Sequence, residues 1–150
     1  MITSYNKPVH RIAIVGPGVI GASWAAEYLA RGFDVVATDP APNAEANLRK
    51  YIDNAWKDLT TIGLSKGASR DRLTCTTDLK EPKADFVQEN GPERPDFKIK
   101  LFADMSDATP VDTLIASSSS RITPSVLQSK CKHPERILIG HTSILPTSSR

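Results

Sequence analysis

Three glycines and one aspartate near the start of the sequence have the types and spacing needed to hold phosphate and sugar groups. The glycines are Gly16, Gly18 and Gly21, which follow an apolar run in G-x-G-x-x-G spacing. The first permits a tight turn, the second lets the backbone approach a pyrophosphate, and the third lets a helix pack closely on a strand. Asp39 comes 18 residues after Gly21, and its carboxylate can accept hydrogen bonds from ribose hydroxyls. This pattern predicts a dinucleotide site.

The helix predicted to begin after Gly18 would supply part of this site. Its first residues, Val19 and Ile20, present backbone N–H groups that have no partner within a helix, and such an end attracts phosphate. Pro-Ala-Pro follows Asp39, with no arginine to receive a 2′-phosphate, which the carboxylate would also repel. The sequence therefore predicts NAD in preference to NADP. The alternative, a helix start that merely favours glycine, is disfavoured by the full strand–loop–helix–strand–Asp arrangement.

Strand-like and helix-like segments alternate along the rest of the chain. Apolar, β-branched runs predict strands at 11–16, 33–39, 73–78, 84–89, 113–119 and 136–141. Helical spacing predicts helices at 19–32, 43–63, 95–105 and 123–130. Strands alternating with helices are typical of a doubly wound sheet, so we predict a Rossmann-type α/β fold with a mostly parallel sheet, in one domain over 1–150.

Two details of the helices can be predicted from single positions. In the second helix, apolar residues recur at alternating steps of four and three, which marks one buried face before the stop at Gly63. They are Leu48, Ile52, Ala55, Leu59 and Ile62. In the last helix, Thr123 precedes Pro124, and we expect its hydroxyl to cap the helix.

The composition is that of an ordinary globular protein. Hydrophobic residues make up 39% and charged residues 24%, and the net charge is +2. Because the basic residues are dispersed, the sequence predicts no nucleic-acid or membrane partner. The two cysteines, Cys75 and Cys131, lie far apart and outside any His or acidic cluster, which argues against a disulfide framework or a metal site. With no apolar leader at the N-terminus, we expect a cytoplasmic protein.

Ser120 and His141 have side chains that could take part in proton transfer. Ser120 is the last of four consecutive serines at the end of a predicted strand, and His141 directly follows the last predicted strand. Oxidation of a secondary alcohol needs a base of near-neutral pKa, for which imidazole is suited, and a group that orients the hydroxyl. By themselves, however, a serine run at a strand end is usually a loop, and a lone histidine is more often structural or solvated.

Three further stretches resemble the L-3-hydroxyacyl-CoA dehydrogenase superfamily. They are ADFVQENGPER, IASSSSRITPS and HPERILIGH. Together with the GVIGASWAA helix start, they are most similar to its carnitine dehydrogenase and lambda-crystallin (L-gulonate 3-dehydrogenase) branch. The resemblance extends from about Arg11 to His141. It implies an NAD-binding Rossmann domain that, in a complete homodimeric member, precedes a helical domain for dimerisation and substrate contacts; we expect that second domain to be absent here.

The resemblance also implies roles for four residues. Glu93 and Lys98 match residues that contact the ribose on the nicotinamide side of NAD. Ser120 matches the serine that binds the substrate's 3-hydroxyl beside the cofactor, and His141 matches the catalytic base. The 21-residue interval between Ser120 and His141 fits the spacing in the family.

The sequence departs from the family pattern at several positions. Arg121 stands where the family usually has Gly or Ser, so a long cation would crowd the site or change its charge. Ile144 replaces an asparagine, and no glutamate follows His141 to orient it. We therefore interpret 142–150 as a non-homologous tail, which a frameshift or a mispredicted splice site would explain.

The substrate prediction follows from the second helix. By ungapped offset, the positions that contact CoA in the acyl-CoA branch carry Ala55 and Ile62, which offer neither a hydroxyl nor a cation. We therefore predict an NAD-dependent dehydrogenase domain for a small 3-hydroxy acid such as L-carnitine, with this chain alone inactive. The alternatives are a catalytically inactive NAD-binding or crystallin-like protein, and a 3-hydroxyacyl-CoA dehydrogenase of fatty-acid metabolism.

Overall fold

A computed structural model describes residues 7–80 and 83–141, where strands and helices alternate in chain order. The strands are β1 (Arg11–Val15), β2 (Asp34–Thr38), β3 (Leu73–Thr76), β4 (Phe86–Glu89), β5 (Leu114–Ser117) and β6 (Ile137–Ile139). The helices are α1 (Val19–Ala30), α2 (Ala44–Ile62), α3 (Pro95–Ala108) and the single turn α4 (Pro124–Leu127). Each lies within or close to a segment predicted from the sequence. The predicted tail at 142–150 lies outside the described residues.

The six strands of the described chain form one sheet in the order β3-β2-β1-β4-β5-β6, and every neighbouring pair is parallel. This confirms the predicted Rossmann-type sheet. The order reverses direction at β1, between β2 and β4. In open α/β sheets, ligands bind at the carboxyl ends of the strands beside such a switch point. The loops after β1, β2, β4, β5 and β6 all lie at this edge.

Side chains alternate across the sheet and divide the core into two layers. Ile12 and Ile14 of β1 pack with α1 and α2 in one cluster, whereas Ala13 and Val15 pack with α3 and α4 in the other. Both sets of β1 side chains are almost inaccessible. Burial on both faces explains the continuous apolar runs of the strands. The sheet is therefore a fixed support for the loops at its carboxyl edge.

The helices differ from the sequence predictions in three places. α3 continues past Met105 to Ala108 and stops before Pro110, since the residue that precedes a proline avoids helical geometry. α4 is shorter than predicted, and the Thr123 hydroxyl pairs with the Ser125 hydroxyl at 3.0 Å, so the predicted cap is wrong. Ile62 is 73% exposed because it lies in the last turn of α2, beyond the part of the helix that packs on the sheet.

Within the described residues, the search for a helix long and apolar enough to span a membrane found none.

Candidate active site

In the glycine loop between β1 and α1, backbone conformation and packing require glycine at positions 16 and 21. The position of Gly18 has free space beside it. Gly16 has φ +80°, and its N–H donates to the carbonyl of Thr38 at 3.1 Å. A Cβ on Gly21 would lie only 2.4 Å from the carbonyl oxygen of Gly16. A Cβ on Gly18 would meet no protein atom within 4 Å. The space above Gly18 is therefore available to a ligand that approaches the backbone.

The N-terminus of α1 faces this open space. Gly18 is its N-cap, and the described structure shows no side chain that caps it and no acidic residue in the first turn. Val19 is 73% exposed and Ile20 is 39% exposed. The first-turn N–H groups and the positive end of the helix dipole are therefore available for a phosphate.

Matched alanine substitutions would separate the two kinds of glycine. Gly18→Ala is expected to leave the melting temperature almost unchanged and to weaken NAD binding at least tenfold, because its methyl group would fill the open space. Gly21→Ala is expected to destabilise the fold by roughly 1–3 kcal/mol, the usual cost of overpacking. Thermal denaturation and calorimetric NAD titration of both variants would test this. Unchanged NAD affinity in Gly18→Ala would contradict it.

Asp39 lies at the carboxyl end of β2, beside a mainly apolar cavity of about 430 Å³. Its Oδ1 accepts a hydrogen bond from the backbone N–H of Ala41 at 2.8 Å, and its own N–H donates to the Thr76 carbonyl at 3.3 Å. The cavity extends from Asp39 and Gly16 to Leu79, Phe97 and Leu101. A carboxylate beside an apolar cavity of this size suits a ribose that carries a flat aromatic base.

A second cavity, of about 610 Å³, lies on the other side of the glycine loop. It brings together the four residues predicted to act near the nicotinamide and the substrate, which are Glu93, Lys98, Ser120 and His141. Ile20 and Arg121 line it as well. Gly91 lines both cavities. A single extended ligand that crosses the glycine loop could therefore occupy both.

Glu93 holds the loop that carries Ser120. Its Oε1 accepts hydrogen bonds from the Ser119 hydroxyl at 2.5 Å and from the backbone N–H groups of Ser120 at 3.2 Å and Arg121 at 3.0 Å. Partial burial raises the pKa of Glu93. The hydrogen bonds from Ser119 and Arg121 and the Lys98 ammonium lower it by more, so the pKa lies below its ordinary value. The Glu93 side chain therefore stays a carboxylate, which these donors require.

Lys98 connects Glu93 to the core through Glu89. Its Nζ lies 3.0 Å from Glu89 Oε2 and 3.5 Å from Glu93 Oε2. The side chains of Lys98 and Glu89 are only 1% and 0% exposed. Glu89 also accepts hydrogen bonds from the Ser117 hydroxyl at 2.7 Å and from the Gly91 N–H at 2.6 Å. The carboxyl ends of β4 and β5 are thus joined to α3 beneath the Ser120 loop.

Sequence reasoning missed several polar residues of this edge. The sequence pattern predicts for Glu89 only the end of a strand, although a charged residue that closes an apolar run is a signal of a buried polar network. The Ser118 hydroxyl donates to Asn90 Oδ1 at 2.5 Å and accepts from Gln88 Nε2 at 2.9 Å. Glu89 ends a strand and Asn90 and Ser118 each follow one at the carboxyl edge, which is the pattern that could have identified them.

His141 follows β6 and is exposed where it lines the second cavity. Gly140, the residue before His141, is held by two hydrogen bonds. The Gly140 N–H donates to the Ser117 carbonyl at 2.9 Å, and the Gly140 carbonyl accepts from Gln88 Nε2 at 3.4 Å. The sheet therefore places Ser120 and His141 on the same cavity although they are distant in sequence. No cluster of three or more His, Cys, Asp or Glu side chains that could hold a metal ion occurs among the described residues.

Comparison with known proteins identifies the domain. The sequence profile described as "3-hydroxyacyl-CoA dehydrogenase, NAD binding domain" matches residues 11–146. The chain belongs to this family. Its cofactor is NAD, as the glycine loop and Asp39 predict. The observed loop fits this dinucleotide, since no protein atom occupies the space at Gly18 and a cavity lies on each side of the loop.

The relatives support the predicted branch. The chain is 50% identical over 137 residues to an L-carnitine dehydrogenase of Streptomyces griseus, covering 90% of this chain and 41% of the relative. It is 45% identical over 138 residues to an L-carnitine dehydrogenase of Bacillus cereus, covering 91% and 42%. The chain thus spans about two fifths of the length of these curated relatives.

A solved structure of 3-hydroxybutyryl-CoA dehydrogenase from Escherichia coli K12 is also similar. It superimposes with a TM-score of 0.78 and 28% sequence identity, covering 87% of this chain and 29% of that one. The resemblance stated from the sequence is therefore confirmed for the family, the fold and the cofactor.

Proposed function

We propose that the chain is the NAD-binding part of a dehydrogenase that oxidises the 3-hydroxyl of a small hydroxy acid such as L-carnitine. The observation that carries the proposal is that Ser120 and His141 line the same cavity as Ile20, at the α1 end of the glycine loop. The sequence identities of 50% and 45% to two L-carnitine dehydrogenases favour a small acid over an acyl-CoA. The homodimer of a complete member and the cytoplasmic location stay predictions.

The cofactor would lie across the carboxyl edge of the sheet. Gly16, Gly18 and Gly21, with the N–H groups of Val19 and Ile20, would hold the pyrophosphate. The Asp39 carboxylate would accept hydrogen bonds from the adenosine ribose, and the cavity beside it would receive the adenine. The nicotinamide would then enter the second cavity.

The reaction would be a hydride transfer assisted by a base. When bound, NAD accepts the hydride that leaves C3 of the substrate. The Ser120 hydroxyl would hydrogen-bond the substrate hydroxyl, and the His141 imidazole would take its proton, so that the C–O bond becomes a carbonyl. Contact between Ser120 and the nicotinamide side of NAD would keep the hydroxyl near the ring.

Glu93 and Lys98 would act near the nicotinamide ribose chiefly by holding this geometry. Glu93 fixes the backbone of Ser120 and Arg121, and Lys98 fixes Glu93. Because the Lys98 ammonium is almost inaccessible between two carboxylates, its contribution would be to position the Ser120 loop and Glu93 beneath the cofactor.

NAD titration by calorimetry tests the proposed cofactor site. Asp39→Ala is expected to weaken NAD binding at least tenfold, because two ribose hydroxyls lose a charged acceptor, each such hydrogen bond being worth about 1.5–3 kcal/mol. Asp58→Ala is the matched control: Asp58 is an exposed aspartate on α2, away from both cavities. Equal affinity in wild type and Asp39→Ala would overturn the assignment of Asp39.

A further inference from the structure

Arg121 places a cation on the second cavity, immediately after Ser120 in the sequence. Its side chain lines that cavity together with Ser120, His141 and Ile20, and it is exposed. The Arg121 backbone N–H donates to Glu93 Oε1 at 3.0 Å. The backbone from which the Arg121 side chain extends is therefore held by the same carboxylate that holds the backbone of Ser120.

Among residues 7–80 and 83–141, the Arg121 guanidinium has no carboxylate partner. None of the ion pairs in that part of the chain includes Arg121. Glu93 contacts the Arg121 backbone, but its carboxylate already accepts three hydrogen bonds and pairs with Lys98. The guanidinium is thus left to pair with a ligand.

The charged groups below the cavity have a net negative charge, which the Arg121 cation can offset. Glu89, Lys98 and Glu93 form a carboxylate–ammonium–carboxylate series that carries one net negative charge. An anionic substrate would be repelled by that charge, and in a partly desolvated site the repulsion is stronger than in water. The Arg121 charge offsets it on the side where Ser120 would hold the hydroxyl.

We infer that Arg121 binds the carboxylate of the substrate, so that the site takes free 3-hydroxy acids in preference to esters, amides or thioesters. The inference rests on the proposed function and specifies its substrate class. In a 3-hydroxy acid, one methylene separates the hydroxyl-bearing carbon from the carboxylate. Neighbouring Cα atoms are about 3.8 Å apart, so adjacent side chains on one cavity can contact both groups. A guanidinium suits this task because its planar donors match a carboxylate in a bidentate pair.

The inference also orients the substrate. With the carboxylate on Arg121, the C4 substituent lies on the opposite side of C3. In a substrate such as L-carnitine, this arrangement places the quaternary ammonium away from the guanidinium, which would otherwise repel it. The departure from the Gly or Ser expected at position 121 thus acquires a chemical role and does not merely crowd the site.

Titration of the 150-residue chain by NMR tests the inference. The ¹⁵N-labelled chain, saturated with NADH, would be titrated with 3-hydroxybutyrate and, separately, with the neutral 3-hydroxybutyramide. We expect the acid to shift the Arg121 Nε–H resonance and to bind at least tenfold more tightly than the amide. Arg121→Gln should lose this preference without changing the affinity for the amide or for NADH. Arg121→Lys should retain part of it, because it keeps the charge and loses the bidentate geometry.

The matched control is Lys130→Gln, which removes one exposed positive charge away from the cavity. It should bind both ligands as the wild type does. The inference is overturned if Arg121→Gln binds the acid within twofold of wild type, if acid and amide weaken together, or if the wild type with normal NADH affinity shows no preference for the acid. A wild-type chain that fails to bind NADH would instead overturn the proposed function.

Discussion

Lys98→Met is expected to lower the free energy of unfolding by about 3–5 kcal/mol, the usual result of removing one partner from a buried ion pair. Methionine fills the space of the lysine stem but leaves the Glu89 carboxylate, which is 0% exposed, without its counter-charge. Ser117 and Gly91 would still donate to Glu89, but two neutral donors cannot replace a cation in a site closed to water. Urea denaturation followed by circular dichroism would measure the change.

The same helix provides the matched control for this prediction. Lys100 pairs with Asp104 at 2.6 Å, but the two side chains are 78% and 49% exposed, so Lys100→Met is expected to cost less than about 1 kcal/mol. Adding Glu89→Gln to Lys98→Met should recover part of the lost stability, because it removes the unpaired charge. Equal losses in the two lysine variants, or a double variant less stable than Lys98→Met, would show that the buried pair does not stabilise the fold.

The sequence predicted the fold well because its signals are local and repeated. Apolar runs closed by glycine indicated the strands, and the steps of three and four in α2 indicated its buried face. The positive φ of Gly16 and the close packing of Gly21 follow from the spacing of the glycine loop. These features depend on residues near each other in sequence, so periodicity and turn chemistry are sufficient to predict them.

The candidate site could be predicted only in part, because its contacts join distant segments. Spacing gave the glycine loop and Asp39, but Ser120 and His141 were recognised through family resemblance. Lys98 lies in an amphipathic helix, where a lysine is expected to be solvated; its burial depends on Glu89, which ends a different element. Pairing between strand ends and a helix is a tertiary property that no local pattern encodes.

Arg136, like Lys98, is a charged side chain with a structural role. Arg136→Met is expected to lower the free energy of unfolding by at least about 3 kcal/mol, because each buried group left without a partner costs about 1–3 kcal/mol. The sequence places it at the start of the last strand, yet it is 0% exposed. Its guanidinium donates to the carbonyls of Ser106, Pro110 and Thr113 and to the Thr109 hydroxyl. Ser106 lies in the last turn of α3, where a cation also complements the helix dipole.

Arg136 thereby ties the end of α3 to the starts of β5 and β6, the strands that carry the Ser120 loop and His141. Arg136→Lys should lower the free energy of unfolding by less than Arg136→Met, because an ammonium keeps the charge. It should still lower it, because an ammonium cannot reach all these acceptors at once. Arg49→Met is the control, since its pair with Glu45 at 2.8 Å is exposed and should contribute under about 1 kcal/mol. Urea midpoints would compare the three variants, and a loss below about 1 kcal/mol in Arg136→Met would contradict the proposed role. Arg136 thus lies at the edge of the sheet opposite the candidate active site, and there it joins the starts of the two strands that lead to Ser120 and His141.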